Sequence, residues 1–76
     1  MSQELPVVTC RHLARVARRL GFELRRQKGS HAIYVRQSDG VRVVIPMHAG
    51  RELKRKTVRG IIEDLRLSVE EFRDML

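Results

Sequence analysis

The 76-residue sequence predicts an α+β fold: a two-layer sandwich of order α-β-β-β-α, with a three-stranded antiparallel sheet and a short C-terminal helix. Apolar residues recur at helical spacing in two stretches, 10–20 and 58–65. Between them lie three short runs rich in alternating or β-branched residues, separated by glycine-containing turns. A three-stranded sheet with one apolar face needs a cover, and two amphipathic helices supply it. The length suits one small domain, 1–76, which buries only about 60% of its unfolded surface.

The first helix opens at Thr9, whose hydroxyl can accept a hydrogen bond from a first-turn amide. Cys10, Leu13, Ala14, Ala17 and Leu20 form its apolar stripe, with Val16 adjoining; Arg11, Arg15, Arg18 and Arg19 fall mostly elsewhere and read as a solvated face. His12 reads as plain surface. Gly21 ends the helix where glycine is favoured. Phe22-Glu23-Leu24-Arg25-Arg26 alternates as a half-buried strand does, and Gln27-Lys28-Gly29-Ser30 is a turn. In the second strand, residues 31–36, period two places His31, Ile33 and Val35 on one face and Ala32, Tyr34 and Arg36 on the other. Ser38-Asp39-Gly40 makes a tight connection to a third strand, residues 41–47, with Pro46 at its end or on an edge. A basic loop, residues 48–54, leads to a second helix beginning around Thr57, with Val58, Ile61, Ile62 and Leu65 as its stripe. Gly60 within it costs about 1 kcal/mol against alanine and reads as a point of close packing. Ser68 and Glu71 match a capping box for a last short helix that turns Val69, Phe72 and Leu76 inward.

Charge narrows the range of partners. Sixteen Lys and Arg against nine Asp and Glu give a net charge of +7. Residues 11–59 hold fourteen of the basic and three of the acidic side chains, whereas residues 60–76 hold two and five. Such a field attracts polyanions, and nucleic acid comes first among them. A membrane-surface helix would need bulky apolar residues opposite its basic face, and no apolar run approaches a membrane span. Residues 1–8 show no basic stretch followed by an apolar core, so no signal peptide is expected. The single Cys10 fits a reducing compartment, hence a cytoplasmic location, and excludes an internal disulfide and a cysteine metal cluster.

The chemistry is concentrated at Lys28-Gly29-Ser30-His31. Gly29 permits a sharp turn, Ser30 can donate and accept hydrogen bonds, and His31 begins a strand where an imidazole is held yet reaches solvent. Imidazole can take and give protons near neutral pH. Arg26-Gln27-Lys28-Gly29-Ser30-His31, Pro46-Met47-His48 and Glu52-Leu53-Lys54…Thr57…Ile61-Ile62, together with Gly21-Phe22-Glu23-Leu24, resemble the HicA toxins, bacterial mRNA interferases, from about Thr9 to Phe72. The resemblance implies a fold similar to that of double-stranded-RNA-binding domains. It also implies RNA cleavage by a histidine on the second strand without a metal cofactor, and restraint by a neighbouring antitoxin, HicB; covering His31 and the basic surface is the most direct way for such a partner to inhibit. The family's catalytic position falls on His31. Some relatives carry a histidine one place later; Ala32 stands there in this chain, so His31 must act alone on its strand.

Around His31 the expected supporting residues are Gly29, Ser30, Lys28 and His48, the last a candidate for a second proton carrier. Arg25, Arg26, Lys28, Arg51, Lys54, Arg55 and Lys56 are expected on RNA backbone, with Tyr34 as a candidate stacking platform as against a half-buried sheet residue. Two other readings compete with a nuclease acting on mRNA. One is a double-stranded-RNA binder without catalysis, and the other is a regulator whose basic surface docks an acidic protein.

Overall fold

Helical spacing in the flanks and alternation in the strands converge on one buried cluster. The structure is a computed structural model and describes residues 5–48 and 50–76. Residues 1–4, half of the stretch read for a leader, and Ala49 of the connecting loop lie outside the described residues. The elements are α1 (Cys10–Arg19), β1 (Phe22–Lys28), β2 (His31–Arg36), β3 (Val41–Pro46), α2 (Arg55–Asp64) and α3 (Val69–Asp74). The strands form one antiparallel sheet in the order β1-β2-β3, as the α+β reading requires. Leu13, Val16 and Ala17 of α1 and Val58, Ile61 and Ile62 of α2 meet Phe22, Ala32, Tyr34, Val43 and Ile45 of the sheet, with Phe72 of α3 closing the cluster. Each large apolar side chain buried this way contributes roughly 1.5–3 kcal/mol. No described helix is long and apolar enough to cross a membrane.

β1 runs two residues further than its alternation suggested, because the turn needs only Gly29 and Ser30 and leaves Gln27 and Lys28 free to pair with β2. Its register shifts between Leu24 and Arg26, a β-bulge that takes Arg25 out of the pairing. Before the bulge Leu24 opposes Tyr34 on the helix-covered face. After it Arg26 opposes Ile33 and Lys28 opposes His31 on the open face. A strand without the extra residue would send Arg26 and Lys28 to the helices.

α2 starts earlier than Thr57. Lys54 is its N-cap, and the Lys54 carbonyl accepts the Val58 N–H at 3.0 Å, so Arg55 and Lys56 fall in the first turn. At α1 the N-cap is Thr9, and its N–H donates to Nδ1 of His12 at 3.2 Å. His12 is therefore a capping residue, in the position a capping box usually gives to glutamate or glutamine. The capping box at α3 is as read: Ser68 Oγ accepts from the Glu71 N–H at 3.0 Å, and the Ser68 N–H donates to Glu71 at 2.8 Å.

Arg36 fastens the far end of the sheet. It donates to the Leu20 carbonyl at 3.2 Å, pairs with Asp39 at 2.9 Å and lies 4.7 Å over the Phe22 ring. The guanidinium holds the Asp39 carboxyl below the usual carboxylate range. Its contribution is therefore present above that range and is lost as pH falls through the lowered value.

α2 ends in a Schellman motif, with the Leu67 N–H on the Ile62 carbonyl and the Arg66 N–H on the Glu63 carbonyl. Arg66 occupies the left-handed position at φ 63°, where glycine is usual. Gly60 is exposed, and a Cβ there would meet nothing within 4 Å, so the expected close packing is absent. Two substitutions should therefore stabilise the chain in urea unfolding: Gly60→Ala by about 1 kcal/mol and Arg66→Gly by roughly 1 kcal/mol. A lower midpoint for either would contradict the geometry described.

Candidate functional site

The β1–β2 connection is a two-residue hairpin turn of Gly29 and Ser30 between the partners Lys28 and His31. Gly29 has φ +59°, and Ser30 is not among the residues of positive φ, the pattern of a type II′ turn. This turn type matches the twist of the flanking strands and needs glycine first. Lys28 and His31 face each other directly across it, at a Cβ separation of roughly 4.5–5.5 Å. Pro46 is the partner of His31 on its other side, and the Met47 N–H donates to the Ser30 carbonyl. The turn is thus tied to both neighbouring strands, and His31 is exposed at its edge.

Register fixes the company His31 keeps. Lys28, His31 and Pro46 form one row of the open face, and Arg26, Ile33 and Val44 form the next. Glu23, Val35 and Arg42 form the third. Ile33 and Val35 are half-buried and Val44 is 39% exposed, so an aliphatic strip runs from the imidazole between cationic side chains. Arg42 was not among the residues singled out from sequence. Its only signal there was its place between two valines in an alternating strand.

Both long helices bring their N-termini to this end. The Leu53 N–H donates to the Val8 carbonyl at 2.9 Å, and Thr9 bridges Glu52, so the entries to α1 and α2 lie side by side. Thr9, His12 and Met47 line a common cleft, which brings that pair of entries to the turn through Met47. Neither helix has an acidic residue in its first turn. Arg11, Arg51, Lys54, Arg55 and Lys56 are all exposed there. Among the described residues the one ion pair is Arg36–Asp39, at the opposite end of the sheet. Positive charge and amide dipoles therefore add up around the turn, with Glu52 the acidic side chain beside them and no ion pair there among the described residues.

The other expected residues divide clearly. Lys28 and Arg26 share the face of His31. Arg25 is the bulged residue, exposed and outside the ladder. His48 is exposed two residues beyond Pro46, at the same end. Tyr34 is corrected: at 2% exposure it is part of the core beneath α1 and cannot offer a ring face to a base. Alternation had put it opposite His31, and burial shows that its face is the one the helices cover. No three His, Cys, Asp or Glu side chains cluster among the described residues.

A family model described as the HicA toxin of bacterial toxin–antitoxin systems matches residues 2–67 of the chain. No curated protein matches it in a sequence comparison.

A Cβ at Gly29 would meet nothing within 4 Å, so any cost of Gly29→Ala comes from the backbone alone. The substitution should destabilise by roughly 1–2 kcal/mol and move the amide resonances of Lys28 and His31. A substituted chain of parental stability with unmoved resonances would show that the turn does not depend on glycine.

Proposed function

The chain belongs to the HicA toxins of bacterial toxin–antitoxin systems, and on that premise we propose that it is an endoribonuclease that cuts mRNA with His31. The observation that carries this reading is the position of His31. The imidazole is exposed on the open face, cross-strand from Lys28, at the end of the sheet where both basic helix entries converge.

The proposed step uses the ribose itself. The 2′-oxygen of the nucleotide attacks the adjacent phosphorus while the imidazole accepts the 2′-hydroxyl proton. The bond from phosphorus to the 5′-oxygen breaks, and that oxygen takes up a proton. The products are a 2′,3′-cyclic phosphate and a 5′-hydroxyl. His48, exposed beyond the partner strand, supplies the second proton. Lys28 and Arg26 on the same face stabilise the charge that builds on the phosphate oxygens. Dependence on the 2′-hydroxyl also selects RNA over DNA. No metal-bound group enters this scheme, in keeping with the family's metal-independent cleavage.

Membership also implies a HicB-type antitoxin partner. We propose that it seats on the open sheet face, with apolar residues on Ile33, Val35 and Val44 and acidic ones on Arg26, Lys28 and Arg42, and so covers His31.

One imidazole in general acid–base catalysis is worth about 10²–10⁴-fold. His31→Ala should lower single-turnover cleavage of single-stranded RNA in EDTA by that factor, and His48→Ala by less. A 2′-deoxy substitution at the cut site should abolish cleavage. Parental rates in His31→Ala would remove the mechanism, and bound but uncut RNA with the parent chain would leave a binding module only. In the antitoxin complex the His31 ring resonances should lose their solvent exchange; an imidazole still open to solvent would overturn the docking proposed for the open face.

A further inference from the structure

Arg11, Arg15 and Arg18 occupy i, i+4 and i+7 of α1, and all three are exposed. Neighbours of like charge at these spacings repel, and Arg11 also opposes the dipole at the helix start. None of the three belongs to an ion pair among the described residues. They line an open cleft of about 1010 Å³ together with Ala14, Tyr34 and Met47. Cationic side chains on one wall and an apolar floor set this cleft apart from an ordinary solvated helix face. Its position adds a further point. The Met47 N–H is bonded to the Ser30 carbonyl, so one wall of the cleft is a single hydrogen bond from the turn that presents His31.

We propose that this cleft is the track for the stretch of single-stranded RNA next to the cleaved bond; the inference rests on the nuclease reading above and extends it. Successive phosphates lie against Arg11, Arg15 and Arg18. These stand about one helical turn, roughly 5 Å, apart along the axis, the scale of neighbouring phosphates on one strand. The strand then passes over the lip formed by Met47 and Ser30, from the helix side of the sheet to the face that carries His31. A concave groove receives one flexible chain, whereas a duplex is a convex cylinder that the walls would hold off. Polyanion binding also relieves the repulsion between the three arginines.

The test uses the full chain carrying His31→Ala, so that RNA is bound without being cut. A fluorescein-labelled single-stranded 12-mer is titrated at several salt concentrations. Each phosphate neutralised on a single strand contributes about 0.7 to the slope of log affinity against log salt. The combined change Arg11→Gln, Arg15→Gln and Arg18→Gln should reduce that slope by about 2. Glutamine keeps helix propensity, and circular dichroism checks the fold. Removing the same charge elsewhere, with Arg59→Gln, Arg66→Gln and Arg73→Gln, should change the slope much less. An unchanged slope in the cleft variant overturns the proposal, as does an equal change in the control. Weaker antitoxin binding with RNA binding intact would likewise overturn it and give the cleft to an acidic protein. A blunt duplex bound more tightly than the single strand would overturn the single-strand assignment. Cleavage by the unsubstituted chain is read separately, so failure of the track leaves the assignment of His31 standing, and the reverse.

Discussion

One unpaired residue in an edge strand governs which side chains keep company with the imidazole. Side-chain direction in a strand has period two, so a single insertion exchanges the faces of everything beyond it. The bulge at Arg25 leaves Leu24 on the helix side while turning Arg26 and Lys28 outward. The glycine-led turn then sets Lys28 directly opposite His31. The cations nearest the imidazole thus take their position from backbone register, which holds firmly. They do not depend on long side chains reaching from elsewhere.

Electrostatics follows the same sparing use of parts. A chain of this size has a thin core, and its stability margin is small. It nevertheless places basic residues in the first turns of both long helices, where anionic side chains would be favourable. Among the described residues the ion pair lies at the other end, between Arg36 and Asp39. Such an arrangement forgoes internal neutralisation where a bound anion would supply it. The exposed imidazole and the basic first turns lie at the same end of the molecule.

Much of the architecture was legible in periodicity. The stripes of α1 and α2, the capping box at Ser68 and the glycine after α1 each have a local physical cause, and the structure reproduces them. Three features were not legible. In Arg25-Arg26 the two residues are alike, so no pattern could show which one leaves the ladder. In β2 both faces carry apolar residues, and Tyr34 shares its face with Arg36. Only packing reveals that Arg36 lies over Phe22 at the margin while Tyr34 is buried. The start of α2 was hidden because Lys54 caps with its backbone alone. At the site, Gly29, Ser30 and His31 stood out by residue type. The cleft along α1 did not, since it brings Tyr34 of β2 and Met47 beyond β3 to a helix distant from both in sequence. The capping role of His12 was equally hidden, because histidine is not a usual capping residue.

Arg19 donates to the carbonyl of Met75 at 3.1 Å, which moors the tail of the chain to the end of α1. That bond anchors α3, with Glu70, Glu71 and Asp74, beside the finish of the first helix, far from where it begins. The acidic side chains of α3 are in consequence held beside Arg18 and Arg19 at the finish of α1. Moored in this way, they stay clear of the face on which His31 is exposed.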